Sequence, residues 1–289
     1  MTELLEVTVP AEDGVYDGIP DHVYHGDRNS LSSSGARRLM DSCPRIFRHE
    51  QDNPRPAKKE FDFGHAAHTL VLGYGAELRE IPEALLASNG AVSTTEAKAF
   101  VAEARANGAI PLKPNEYRTV HLMADALLTH PIAGGLFRAP GKPEQSLYYT
   151  DPVTGVRLRA RPDWATSPGG RLILVDYKST KSANPEKFIR SVVDYGYHCQ
   201  DPWYADAAKA VGLDDDPAFV FVAQEKTAPY AVSVCQLDEE SVELGRRRNR
   251  KAIDLYAECV ATNRWPDWDR DVYPISLPKW AFNQEEHEE

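Results

Sequence analysis

Hydrophobic positions recur at helical spacing in the first half of the chain and alternate with polar ones in much of the second half. The helices predicted for the first half lie, in chain order, at 32–40, 61–72, 93–108 and 115–129. Ser93 and Glu96 have capping-box spacing at the start of the third of these. Cys43-Pro44 marks a helix end or a kink, and 51–59 is a polar loop. We therefore expect a helical N-terminal half.

Alternation begins near residue 146 and predicts a sheet. The predicted strands lie at 146–150, 156–163, 171–178, 218–224 and 230–236. Short turns at 151–155 and 167–170 predict that the first three form an antiparallel meander. Further helices are predicted at 185–194, 197–211, with Pro202 as a candidate kink, and 239–261. This pattern predicts one α/β domain over 21–280, an extended lead-in at 1–20 and an acidic tail at 281–289.

Composition places the chain among globular proteins. It has 289 residues, of which 42% are hydrophobic and 27% charged, so a fibre or a wholly disordered chain is excluded. No apolar run approaches the roughly 18 to 20 residues that cross a bilayer. Residues 1–10 lack the basic region and apolar core of a secretory signal, so we expect a cytoplasmic protein with no membrane partner.

Charge and cysteine usage restrict the classes of site. A formal net charge of -11 disfavours general adhesion to nucleic acid, although basic residues gathered on one face would still permit DNA binding. The four cysteines, Cys43, Cys199, Cys235 and Cys259, are scattered and form no CxxC pair. Neither a disulfide framework nor a zinc knuckle is expected.

Acidic and basic residues converge on the predicted second and third strands of the meander. Asp163 ends one strand, and Asp176 and Lys178 share one face of the next, so pairing of these strands would bring all three together. Carboxylate oxygens are ligands for Mg²⁺ or Mn²⁺, and a nearby lysine can orient or deprotonate a water. An acid-x-Lys triplet alone is common, and its simpler interpretation is a surface cross-strand pair.

Pro162-Asp163, followed after twelve residues by Asp176-Tyr177-Lys178, resembles the PD-(D/E)XK nuclease signature. Other motifs occur in the order seen in the RecE type of exodeoxyribonuclease (exonuclease VIII), within the RecB-like group. They lie at 24–25 with 31–34, 63–68, 143–146, 155–163 and 200–204. The resemblance covers residues 20 to 260 approximately. It implies a restriction-endonuclease-like core: a central mixed sheet flanked by helices.

The resemblance also implies an activity and partners. Such enzymes, often phage-encoded, are metal-dependent exonucleases that resect double-stranded DNA ends in the bacterial cytoplasm, leaving single-stranded tails for a single-strand annealing protein. Many close into homo-oligomeric rings around DNA. The implied cofactor is Mg²⁺ or Mn²⁺. The implied metal ligands are His68, Asp163, Asp176 and the backbone carbonyl of Tyr177, and the other implied site residues are Lys178 as catalytic lysine, Glu144, Gln200 and Tyr204.

Several of these positions also have simpler interpretations. His65 lies three residues before His68 and competes with it as the ligand, and Glu144 could be an ordinary solvated glutamate. Gln200 and Tyr204, four apart, could be ordinary helix residues. Cys43-Pro44-Arg45 is similar to the start of an iron-sulfur motif, but the remaining cysteines are too dispersed, so no iron-sulfur cluster is predicted and Cys43 is expected to be buried.

Basic and aromatic residues near the motif are candidates for DNA contact. These candidates are Arg157, Arg159 and Arg161, then Lys181, Lys187 and Arg190, the 246–251 cluster, and Trp164 and Trp203 as stacking or core residues. The alternative to a nuclease is a non-catalytic DNA-end or recombinase-binding module on a degenerate nuclease fold. A hydrolase of small phosphate esters is disfavoured because no Gly-rich phosphate cradle is present.

Overall fold

A computed structural model describes residues 8–53, 62–268, 272 and 274–279. The helices are α1 Asp21–Gly26, α2 Ser33–Asp41, α3 Pro44–Asp52, α4 Asp62–Leu72, α5 Thr95–Ala106, α6 Pro114–Thr129, α7 Ala133–Arg138, α8 Pro185–Asp194, α9 Gln200–Ala210 and α10 Glu239–Thr262. Short 3₁₀ turns occupy Glu83–Leu85 and Tyr197–Cys199. The predicted tail at 281–289, and 54–59 of the predicted loop, lie outside the described residues. No helix in the described ranges combines the length and the apolar character needed to span a bilayer.

The strands form two larger sheets and one short pair. They are β1 Gly14–Tyr16, β2 Leu31–Ser32, β3 Leu78–Glu80, β4 Ile110–Leu112, β5 Gly141–Pro143, β6 Ser146–Thr150, β7 Arg157–Ala160, β8 Trp164–Thr166, β9 Ile173–Thr180, β10 Ala218–Glu225 and β11 Val232–Cys235. The five-stranded sheet has the order β11-β10-β9-β8-β5, and the four-stranded sheet has the order β1-β6-β7-β2. Because β9 and β10 run parallel while the remaining pairs of the five-stranded sheet are antiparallel, that sheet is mixed.

Helices cover both faces of the five-stranded sheet. Alternate residues of β9 point to opposite faces. Leu174 packs in one buried cluster with Phe188 of α8 and Trp203 of α9, whereas Val175 packs in another with Ala67 of α4 and Met123 of α6. The predicted α/β class, with a central mixed sheet flanked by helices, is confirmed.

The predicted three-stranded meander is wrong. The expected strand at 156–163 ends at Ala160 as β7 of the four-stranded sheet, and a separate strand, β8, begins at Trp164 in the five-stranded sheet. The break falls at Arg161-Pro162-Asp163, where proline offers no N–H to a ladder and the Arg161 side chain is buried against the N-terminal segment. Consequently β8, rather than β7, pairs with β9.

Local details differ from the predictions for identifiable reasons. Thr94, not Ser93, caps α5, since its Oγ1 accepts a hydrogen bond from the backbone N–H of Ala97. Pro44 starts α3, and Gln51 of the predicted loop still belongs to that helix. Pro202 lies in the first turn of α9, where backbone N–H groups need no helical partner, so it does not interrupt the helix.

Candidate active site

The side chains of Asp163, Asp176 and Lys178 lie close together where the start of β8 pairs with β9. Trp164 lies opposite Val175 in the antiparallel register, which places Asp163 beside the next residues of β9. The Oδ2 atom of Asp163 accepts a 2.7 Å hydrogen bond from the backbone N–H of Tyr177. Asp176 and Lys178 share the opposite face from Tyr177, and the Lys178 ammonium forms an ion pair with Asp176 Oδ2. The expected convergence thus occurs, through β8 rather than a continuous second strand.

A histidine and a second acid extend this group. The Nε2 atom of His68, on α4, lies 3.1 Å from Asp163 Oδ1, and its Nδ1 atom lies 3.5 Å from Glu144 Oε1. Glu144 follows β5 with a φ of 45°, and its backbone N–H donates to the carbonyl of Asp163 at 3.0 Å. A non-glycine residue in the left-handed region is uncommon, and it is retained where the surroundings hold it. His68 therefore bridges two acids, while His65 is exposed.

Helix α9 adds the amide and phenol predicted from the sequence. Gln200 Nε2 donates a 2.9 Å hydrogen bond to Asp176 Oδ1 and lies 3.4 Å from the Tyr204 hydroxyl. Both side chains are buried. Gln200, at the start of α9, thereby fixes the orientation of the Asp176 carboxylate.

The charges in this cluster perturb one another. Burial lowers the pKa of His68, but Asp163 and Glu144 outweigh it and raise that pKa to about 9. Burial raises the pKa of Asp163, yet the neighbouring His68 and Lys178 cations bring it below its usual range. Burial also raises the pKa of Asp176 and of Glu144. The Lys178 pKa is lowered by burial and raised by Asp176 and Asp163, with a net increase, so the lysine is a charged hydrogen-bond donor.

The donor set suits a hard divalent cation. Within the described residues, no three His, Cys, Asp or Glu side chains already stand in an arrangement able to hold a metal ion. The acids are paired instead with His68 and Lys178, and an ion would have to replace these contacts. Gln200 Oε1 is a buried oxygen that receives no hydrogen bond from the described residues, whereas Asp176 Oδ2 has only the Lys178 ammonium as its partner among them. An unsatisfied buried acceptor is costly, and a cation with its water ligands would satisfy it.

The structure also shows neighbours that the sequence did not identify. Lys178 Nζ lies 4.8 Å from the centroid of the Tyr197 ring. The Tyr177 hydroxyl donates to Gln224 Oε1 at 2.8 Å, and Gln224 in turn donates to the carbonyl of Met123. In the sequence, only its position three residues before Gln200 could have identified Tyr197 as a neighbour of the site. No nearby motif identified Gln224.

The three arginines of the second predicted strand do not form a DNA-facing surface. Arg159 and Arg161 are buried, with Arg159 donating to Ser30 and Arg161 to Asp21. Arg157 donates to Asp13 at 2.8 Å. These side chains hold the N-terminal segment against β7, which corrects their predicted role.

Other DNA-contact candidates are likewise engaged within the fold. Trp164 and Trp203 are buried, and each indole N–H donates to a backbone carbonyl. In the 246–251 cluster, Arg246 pairs with Asp206, Arg248 with Asp41 and Arg250 with Asp151. Most of that basic run therefore joins α10 to the rest of the fold.

Comparisons with known proteins agree with this architecture. A crystal structure from Eubacterium rectale, described as that of a candidate exonuclease, matches with a TM-score of 0.60 at 10% identity, covering 90% of this chain and 96% of that one. At this identity the likeness concerns the fold alone. The structure of SSO0001 matches with a TM-score of 0.35 at 14% identity over 79% of this chain and 77% of that one, a similarity too low to support an argument. No curated protein matches the chain.

The family described as "PDDEXK-like domain of unknown function (DUF3799)" matches residues 32–269. The match contains the whole five-stranded sheet and every element that contributes to the acid–lysine–histidine cluster, whereas β1 of the four-stranded sheet precedes it. Divalent metal ions are the general cofactors of such nucleases. The chain belongs to this DUF3799 family of PDDEXK-like domains and, with it, to the PD-(D/E)XK nuclease superfamily.

Proposed function

We propose that the protein is a divalent-metal-dependent deoxyribonuclease that hydrolyses phosphodiester bonds from the ends of duplex DNA. The observation that carries this proposal is the meeting of Asp163, Asp176 and Lys178 on neighbouring strands of a PD-(D/E)XK fold, with His68 against the first acid. Two carboxylates can hold a divalent ion and an ammonium can orient a water, and metal-assisted hydrolysis of a phosphodiester uses both contributions.

Metal binding and orientation of the attacking water are assigned to different residues. Asp163, Asp176, His68 and the carbonyl of Tyr177 would hold Mg²⁺ or Mn²⁺, which, when bound, neutralises charge on the phosphoryl oxygens and makes water a better nucleophile. Lys178 orients the attacking water by donating an N–H hydrogen bond.

Two further residues position these groups. Gln200 holds the Asp176 carboxylate, with the Tyr204 hydroxyl next to its amide. Glu144 holds the far nitrogen of the His68 ring, which fixes the orientation of the imidazole.

The surroundings leave room for a substrate beside this cluster. An open cavity of about 490 Å³ is lined by Glu144, Asp21 and Thr69 together with the loop 73–76. Exposed cations follow the catalytic strand at Lys181, Lys187 and Arg190. These cations could contact backbone phosphates of a bound polyanion, despite the negative charge of the whole chain.

From the RecE-type resemblance we infer the biological setting as part of the same proposal. The enzyme would act in the cytoplasm of a bacterial or phage-infected cell and leave single-stranded tails for a single-strand annealing protein. A homo-oligomeric ring around DNA would keep it on one substrate molecule.

The test compares Lys178→Ala with the matched control Lys98→Ala, a change of an exposed lysine on α5. Wild type and control should digest linear duplex DNA with Mg²⁺ or Mn²⁺, whereas Lys178→Ala should be slower by about 10²- to 10⁴-fold. DNA binding, measured separately in EDTA, should remain. Complete digestion by Lys178→Ala at the wild-type rate would refute the assigned role.

A second comparison defines the type of nuclease. End-labelled linear duplexes should release label progressively, and covalently closed circles should remain intact. Cleavage of the circles would identify an endonuclease. Binding of duplex ends by wild type without cleavage under either metal would instead support the non-catalytic module.

A further inference from the structure

Two tyrosine rings extend outward from the catalytic lysine. The ring of Tyr197 lies 4.8 Å from Lys178 Nζ, and the ring of Tyr195 stacks on Tyr197 with 5.4 Å between centroids and 29° between planes. Tyr197 is half-buried, whereas Tyr195 is 61% exposed. The outer ring therefore presents an open aromatic surface at most about 10 Å from the ammonium, roughly three steps of a stacked nucleic-acid strand.

The ring pair is held in place by the backbone and by α2. Gly196 between the two tyrosines has a φ of 62°, in the left-handed region that favours glycine. Arg37 donates a 2.6 Å hydrogen bond to the carbonyl of Tyr195, and its guanidinium lies 5.6 Å from the Tyr197 centroid. An exposed ring anchored in this way can bind a flat partner with little further loss of conformational entropy.

We propose that Tyr195 is a substrate-positioning residue whose outer face stacks on a nucleobase of the DNA strand end entering the site. This inference rests on the proposed nuclease function and names the contact that holds the terminal nucleotides. Stacking suits a nuclease without sequence preference, because every base offers an aromatic face. The exposed cations Lys187 and Arg190 lie on α8, which ends immediately before Tyr195, and can contact the strand's phosphates.

The experiment measures binding in EDTA to a duplex with a short single-stranded tail that carries 2-aminopurine at the terminal nucleotide. Tyr195→Ala should weaken binding between about 5- and 150-fold and abolish the fluorescence quenching that stacking causes. Tyr195→Phe should behave as wild type, because it keeps the ring. Tyr195→Leu, which keeps apolar cover over Tyr197 without an aromatic face, should lose the quenching even if Tyr195→Ala is poorly folded.

The matched control is Val153→Ala. Val153 is exposed in the turn that joins β6 to β7, at the end of this hairpin that is distant from Asp163. With Mg²⁺, Tyr195→Ala should raise KM more than it lowers kcat, and the control should change neither. Wild-type quenching and affinity in both Tyr195→Ala and Tyr195→Leu would overturn the inference, as would a Tyr195→Phe variant as weak as Tyr195→Ala.

The two proposals fail separately. If wild type cleaves DNA but the Tyr195 variants bind and cleave normally, only the stacking inference is refuted. If wild type neither binds nor cleaves DNA with any divalent metal, the proposed function is refuted and the stacking inference with it.

Discussion

Replacing Arg161 by alanine should destabilise the fold and leave any intrinsic affinity for DNA unchanged. The side chain is only 7% exposed. Its Nε donates to Ser146 Oγ at 2.9 Å, its Nη2 to the carbonyl of Ile19 at 2.8 Å and its Nη1 to Asp21 at 2.9 Å. The guanidinium also lies 3.9 Å from the centroid of the buried Tyr24 ring.

The magnitude follows from which of these contacts are shielded from water. The Asp21 carboxylate is 74% exposed, so that ion pair contributes at most about 1 kcal/mol. Loss of the other two bonds leaves buried acceptors unsatisfied, at about 1 to 3 kcal/mol each, and the cation–π contact adds about 1 to 2 kcal/mol. Allowing for relaxation, Arg161→Ala should lower the free energy of unfolding by about 3 to 5 kcal/mol.

Urea denaturation followed by circular dichroism measures this change. For an m value near 3 kcal/mol/M, the midpoint should fall by about 1 M or more. The control is Arg171→Ala, because Arg171 forms a surface ion pair with Asp216 in which both partners are exposed, and its midpoint should barely move. An unchanged midpoint for Arg161→Ala, with weaker DNA binding and a salt slope reduced by about one, would show that the arginine contacts phosphate instead.

Three further predictions concern the site and its surroundings. Gln200→Ala should lower activity or metal affinity by about 10- to 100-fold, measured by metal titration of cleavage, because the Asp176 carboxylate loses its positioning partner; an unchanged titration would contradict this. Mg²⁺ or Mn²⁺ should raise the melting temperature of wild type but not of Asp176→Asn, and equal shifts in both would place the ion elsewhere. Burial raises the pKa of Asp201 to about 6, so the folded protein takes up a proton that the unfolded chain, with a pKa near 4, does not hold. This contribution to stability is present below about pH 4 and lost as the pH rises through about 6, by up to roughly 3 kcal/mol. Asp201→Asn should abolish that loss in urea titrations at pH 4.5 and 8, and a wild-type-like pH dependence in the variant would assign it to other groups.

Hydrophobic periodicity in the sequence predicted the helices and strands that bury one continuous face. The alternation in β9 placed Asp176 and Lys178 on one side of the sheet, and the structure has them there, facing Gln200. Helices α6 and α8 lie within one residue of their predicted bounds, since proline at the start of each marks the boundary.

Features that depend on distant parts of the chain were not predictable in this way. The apolar–charged alternation continues without interruption through Arg161, and Pro162 alone signals the end of a ladder but not a change of sheet. What turns the chain there is contact with Ile19 and Asp21, residues more than 130 positions earlier. The same contacts bury a strand face that the sequence predicted to be a basic DNA-binding surface. A strand's own sequence does not specify which other part of the chain covers it.

If the protein is the proposed nuclease, the arrangement of charge predicts that metal and DNA bind cooperatively. Asp163, Asp176 and Glu144 lie together, and the cations in direct contact with them among the described residues are His68 and Lys178. A phosphate entering this cluster meets acids that repel it, and a divalent ion relieves the repulsion by occupying the acids directly. Linkage then requires that DNA strengthen metal binding by the same factor by which the metal strengthens DNA binding. The acidity of the chain is thus compatible with a nuclease, because the ion carries the positive charge to the site.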